Sequence, residues 1–117
     1  MLNISGRRVF LACGHTDMRK STNGLAAIVE GSFKMNLFDG ALFVFCNRKR
    51  DRVKILVWDE DGFWLLFKRL ERGHFKWPVL DEDATITLTG EELTVLLSGT
   101  RVELKIRRKE IFEHRII

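Results

Sequence analysis

Four carboxylates and four soft or imidazole ligands are the residues here whose types invite chemistry. Asp17, Asp59, Asp61 and Glu71 are the acids a metal-dependent nuclease would need, because carboxylates hold Mg²⁺ and align an attacking water. A two-metal centre requires them to converge around ions about 4 Å apart. Asp59 and Asp61 instead fall in the turn Asp59–Gly62 (DEDG), away from Glu71. Cys13, His15, Cys46 and His74 would suit zinc if they met, but their spacing matches no finger and both cysteines sit in apolar runs. Neither a glycine-rich phosphate loop nor a dinucleotide fingerprint occurs. The reading is a non-enzymatic chain without a cofactor, with the nuclease as a third and weakest alternative.

Cations carry the stronger signal. Residues 48–54 hold Arg48, Lys49, Arg50, Arg52 and Lys54 against a single acid, Asp51. Residues 68–76 hold Lys68, Arg69, Arg72 and Lys76 against Glu71. Arg19 and Lys20 lie in a third polar stretch, His15–Ser21, which Asp17 can order as a cap. Lysine and arginine beside aromatics such as Phe67, Phe75 and Trp77 can line a nucleic-acid strand and stack on its bases. The competing reading makes the rings core and the cations a solvated rim. Trp58, Trp64 and Trp77 are core by default, and Trp77, next to Pro78, is the best candidate for exposure.

The elements that must position these residues follow from hydrophobic pattern and turn chemistry. Arg8–Cys13 reads as a strand and Thr22–Phe33 as a helix, with Leu25, Ile28 and Val29 at helical spacing. Ala41–Cys46 (ALFVFC) is a short apolar run expected to be a central strand buried on both faces. The turns Asn47–Asp51 and Asp59–Gly62 then give hairpins joining it to Arg52–Trp58 and Phe63–Arg69. With a four-residue second turn, Lys54 faces Phe67 and Arg52 faces Arg69, all on one sheet face. The basic residues thereby gather at one end of the hairpin and the acidic turn at the other. Gly73–Trp77 is expected as a short edge strand stopped by Pro78. Thr89–Ser98 is a helix with Thr89 and Glu92 as a capping box. Residues 101–107 alternate as a strand, and 108–117 are ambiguous.

The sum is a single α+β domain over residues 1–117, a mostly antiparallel sheet meander with two helices and a peripheral strand and tail at 101–117. At 117 residues, 45% apolar and 31% charged, the chain is long enough for one core and is not disordered. No apolar run is long enough to span a bilayer, and residues 1–8 lack a signal-peptide core. A cytoplasmic location and no membrane partner are therefore expected. Net charge is +4 and the pI near 9.4, which permits nucleic-acid binding without requiring it. The tail Arg101–Arg115, six cations against three acids, is a second candidate contact.

Residues 9–29 (VFLACGHTDMRKSTNGLAAIV) and 42–78 (LFVFCNRKRDRVKILVWDEDGFWLLFKRLERGHFKWP) resemble the TnpB, or Orf2-like, accessory proteins of the insertion-sequence-66 family of bacterial mobile elements. This is not the RNA-guided nuclease that shares the name TnpB. Asp17, Arg19, Lys20, Arg52, Lys54, Trp58, Asp59, Lys68, Arg69, Glu71, Phe75 and Trp77 match the family's characteristic positions. The resemblance implies a role in DNA transposition beside a separate transposase and carries over no catalytic residue. The expected function is an accessory protein that binds transposon-end DNA electrostatically through Arg19, Lys20, Arg48, Lys49, Arg50, Arg52, Lys54, Lys68, Arg69, Arg72, Lys76 and Trp77. The alternative is an interaction module that binds the transposase and touches no DNA. Four to six phosphate contacts imply a log–log salt slope of roughly −4 to −5 on duplex DNA.

Overall fold

A computed structural model describes residues 2–78, 84–99 and the backbone of 109–110. The strands are β1 (Val9–Ala12), β2 (Leu42–Cys46), β3 (Arg52–Asp59), β4 (Gly62–Arg69), β5 (Thr85–Leu88) and β6 (Lys109–Glu110). Helix α1 (Thr22–Ala27) runs directly into a π-helical turn at Ile28–Ser32, and α2 spans Gly90–Leu97. The strands form one mixed sheet in the order β4-β3-β2-β1-β5-β6. The α+β class holds.

One pairing departs from the expected meander. β1 and β2 are parallel, with Phe10 opposite Phe43, while the other four pairings are antiparallel. The reason is the connection. The segment between β1 and β2 carries α1 and the π turn, and a helical crossover is what brings a following strand back parallel. β5 has no counterpart in the sequence reading. It pairs antiparallel with β1, Val9 opposite Leu88, and so puts β1 inside the sheet.

β2 is buried at all five positions, as a central strand should be. Period-two alternation divides its side chains between two cores. On one face Phe43 and Phe45 join Phe10, Leu25, Val29, Phe33 and Leu56 under α1. On the other Leu42, Val44 and Cys46 join Val53, Ile55, Phe75, Trp77, Ile86, Leu93 and Leu96 under α2. Phe33 stacks on Phe45 with centroids 6.3 Å apart. The Phe33 amide donates to the Ile28 carbonyl at 2.9 Å, which widens the helix's last turn. Helix α2 starts on the expected capping box: the Glu92 amide donates to Thr89 Oγ1 at 3.0 Å and the Thr89 amide to Glu92 Oε1 at 2.9 Å.

Gly73–Trp77 is not a strand. It is an irregular segment in which the Phe75 amide donates to the Arg50 carbonyl at 2.7 Å, and the Phe75 and Trp77 side chains plug the α2-side core. Two large rings spaced by one residue look like a strand locally, yet both point inward because the core takes both. The expected strand at 101–107 and the residues after Glu110 lie outside the described residues.

Candidate nucleic-acid interface

The two hairpin registers settle which cations share a face. Arg52 pairs with Arg69, Lys54 with Phe67 and Val53 with Lys68. Arg52, Lys54, Phe67 and Arg69 therefore lie on the α1 side, and Lys68 lies on the α2 side. The loop before α1 folds over the first group. The Thr16 amide donates to the Cys46 carbonyl at 2.7 Å, and Lys54 Nζ donates to the carbonyls of Met18 and Lys20, each at 2.8 Å.

Between this loop and the first hairpin lie two adjoining open hollows. One, of about 650 Å³, is lined by Asp17, Met18, Arg19, Asn47, Arg52, Lys54 and Phe67. The other, of about 450 Å³, is lined by His15, Thr16, Asp17, Met18, Asn47, Arg48, Lys49 and Arg52. Asn47 shapes the rim between them. Its Oδ1 accepts from the amides of Asp51 and Arg52, both at 3.0 Å, and its Nδ2 donates to Asp51 Oδ1 at 2.6 Å. That amide contact holds the Asp51 carboxyl below its ordinary range, so Asp51 stays anionic and ties down the turn. Sequence reasoning did not single out Asn47. Its signal was present as an asparagine opening a tight turn.

Asp17 does order its loop, as the polar stretch suggested. Its carboxylate accepts from the Arg19 amide at 2.9 Å and from Arg19 Nη2 at 2.7 Å. The Arg19 side chain, and then the Arg19 amide, hold the Asp17 carboxyl well below the usual carboxylate range. The rest of the guanidinium faces solvent, the Arg19 side chain being 91% exposed.

The twelve sequence-predicted site residues divide. Arg19, Arg48, Lys49, Arg52 and Lys54 line the hollows, and exposed Lys20 follows at the loop's end. Lys54 spends its ammonium largely on the loop carbonyls. Arg69 is exposed beside Arg52 and pairs with Glu71 at 3.0 Å. Arg72 and Lys76 are exposed but line neither hollow. Three residues have other employment. Lys68 Nζ donates to the Leu97 carbonyl at 2.7 Å, capping the end of α2 on the opposite face. Arg50 adopts a left-handed conformation (φ 61°), turns its guanidinium over the Trp77 ring and reaches the Cys13 carbonyl at 3.4 Å. Trp77 is the clearest correction. It is only 6% exposed, and its Nε1 donates to the Ala12 carbonyl at 2.9 Å. Trp64, expected in the core, is 43% exposed on edge strand β4.

The residues weighed for metal chemistry are dispersed. Among the described residues no three of His, Cys, Asp and Glu converge to hold an ion. Cys13 and Cys46 are both buried, and burial pushes the Cys46 thiol up to about 11. Asp59 accepts from Arg7 at 3.3 Å and from Trp64 Nε1 at 3.0 Å, Asp61 is exposed in the turn, and Glu71 binds Arg69. Among the described residues no helix is long and apolar enough to cross a membrane.

The amino-acid sequence is similar to those of known proteins. Two proteins of Sinorhizobium fredii (strain NBRC 101917 / NGR234) are similar. Uncharacterized protein y4hO is 44% identical over 92 residues, 79% of each chain. Uncharacterized protein y4jC is 34% identical over 103 residues, 86% of this chain and 87% of its own. No solved structure matches the chain. The model of the IS66 Orf2-like proteins matches residues 7–107, a span that takes in both hollows and every cation lining them, and the chain belongs to that family.

Proposed function

We propose that this protein is a non-catalytic accessory factor in the transposition of an insertion sequence, and that it engages DNA through the basic hollows between the His15–Lys20 loop and the first hairpin. Family membership supports the transposition role. The observation that carries the DNA reading is the convergence of Arg19, Arg48, Lys49 and Arg52 on two adjoining open hollows, with Phe67, 54% exposed, at their edge. Cations so placed track a phosphate backbone, and an exposed ring beside them offers a face to a base. Lys54, Asp17 and Asn47 position the loop and turn that present these groups. The transposase of the same element is the second partner in this reading, oriented on the transposon ends by the bound factor.

The test is fluorescence anisotropy against a terminal-repeat duplex and a scrambled duplex across a salt series. Four phosphate contacts predict a log–log slope of roughly −3 to −4. Replacing Arg48, Lys49 and Arg52 together by Ala should flatten that slope to roughly −1. Absence of binding at low salt rejects DNA as the ligand. Co-purification with transposase in that case supports the alternative, in which the same cations meet an acidic protein surface.

A further inference from the structure

The outer edge of β4 is unlike the rest of the molecule. Among the described residues no strand pairs with it, and β4 ends the sheet order. It is eight residues long, contains no proline, and exposes Trp64 (43%), Leu66 (36%) and Phe67 (54%). Soluble proteins usually protect such an edge with prolines, inward charges or a covering element. Here the only charges on the strand are Lys68 and Arg69 at its C-terminal end, and the acidic turn residues Asp59, Glu60 and Asp61 precede its N-terminal end. The strand is therefore apolar in the middle and oppositely charged at its two ends. Such a pattern is complementary to itself when one copy is reversed.

We infer that β4 is the pairing edge of a homodimer, joined antiparallel to β4 of a second copy about a two-fold axis through Leu65. A two-fold normal to the sheet keeps the same face upward in both copies, so facing residues share a face. Register through Leu65 places Trp64 opposite the second copy's Leu66, Phe63 opposite its Phe67, and Arg69 opposite its Asp61. The first two pairs shelter the exposed apolar groups, and aromatic and aliphatic cross-strand pairs are the stabilising unit of a sheet. The third adds an ion pair between copies. Arg69 sits directly across from Arg52, and within each chain Arg69 is paired with Glu71 at 3.0 Å and Arg52 with Asp51 at 3.4 Å. Asp61 of the second copy supplies a further counter-charge on the outer side of Arg69. The dimer meets the hollows only at Phe67, which lines one of them. The cations that line them lie on the loop before α1, the first turn and β3, and edge pairing adds strands beside the sheet without covering that face.

Two experiments on the full chain test it. In sedimentation velocity the wild type should form a dimer that dissociates on dilution. Asp61→Arg and Arg69→Asp should each weaken it about tenfold, each variant disturbing two symmetry-related contacts. The two substitutions together should restore most of the loss. Within one chain these residues stand eight positions apart along an extended strand, roughly 25 Å, so recovery can arise only between copies. A monomeric wild type, or a double variant as weak as the two losses combined, overturns the inference. The second experiment does not depend on the charge variants. Facing residues across an antiparallel pair have Cα atoms about 4.5–5.5 Å apart, within disulfide reach. Leu65→Cys should therefore form a disulfide-linked dimer on mild oxidation, while Leu66→Cys, which faces Trp64 of the other copy, should not. Linkage through Leu66→Cys instead, or through neither, also overturns it.

Discussion

Lys54 Nζ lies 2.8 Å from the main-chain carbonyl of Lys20, so one candidate DNA-contacting lysine holds the backbone of another. The same ammonium binds the Met18 carbonyl, and the two bonds strap the loop before α1 onto β3. Lys54 therefore acts by shaping the interface. Lys54→Met keeps the aliphatic stem and removes both charge-assisted bonds, which should cost about 1–3 kcal/mol in urea unfolding. Amide exchange of Met18–Lys20 should rise beyond that global loss, because the loop would be released before the sheet unfolds. Unchanged exchange in the loop would show that the strap carries no load.

Asp17 makes the loop sensitive to acid. Its folded-state pKa is depressed, chiefly by the Arg19 side chain, so its contribution to the loop is complete above the unfolded carboxylate value. That contribution is lost as pH falls below the unfolded value and through the folded one. Carbon-detected NMR titration should show the Asp17 carboxyl still ionised at a pH where ordinary surface aspartates are half protonated. In Arg19→Ala its midpoint should rise toward the usual range. An unshifted midpoint in that variant would remove Arg19 as the cause.

Local chemistry made some of this structure legible in advance. The Asp59–Gly62 turn fixed the β3–β4 register, and with it the Arg52–Arg69 and Lys54–Phe67 pairings. The Thr89–Glu92 capping box was readable for the same reason, since both partners lie within one helical turn. What stayed hidden depends on strand order, which is non-local. Nothing in residues 9–12 or 42–46 says that these strands run parallel, because that depends on how the segment between them packs. The exposures of Trp64 and Trp77 were reversed on the same account. Trp64 belongs to a well-signed strand that proves to be an edge, and Trp77 to an irregular segment that proves to be core. The cluster of basic residues was predicted as a unit, yet Arg50 and Lys68 were drawn off by partners distant in sequence, Trp77 with Cys13 and Leu97.

Trp77, the expected candidate for exposure, is buried and bonded to strand β1. Trp77→Phe preserves most of the buried ring but deprives the Ala12 carbonyl of its Nε1 donor, and should cost about 1–3 kcal/mol. Trp77→Ala adds a cavity beneath Arg50 and beside Phe75, for a loss of about 3–5 kcal/mol. Chemical denaturation of the two variants measures both. Equal losses would mean that the hydrogen bond, and not the ring's volume, is what the core requires.

Gly40 is the other position where the fold leaves no latitude. Its φ is +85°, and a Cβ there would lie 2.9 Å from Arg7 Nη1. That nitrogen donates to the Gly40 carbonyl at 2.8 Å and to the Trp58 carbonyl at 3.2 Å, while Arg7 Nη2 reaches Asp59 at 3.3 Å. Arg7 thus ties the entry to β2 to the end of β3. Gly40→Ala should cost about 1–2 kcal/mol for the left-handed backbone, plus whatever is lost when the guanidinium is displaced. Arg7→Met removes the guanidinium first, so Gly40→Ala in that background should cost only the backbone part. The two changes should therefore combine to less than the sum of their separate losses, by about 0.5–3 kcal/mol. Full additivity in the denaturation cycle would mean that Arg7 yields freely to the new methyl and that the clamp is not rigid.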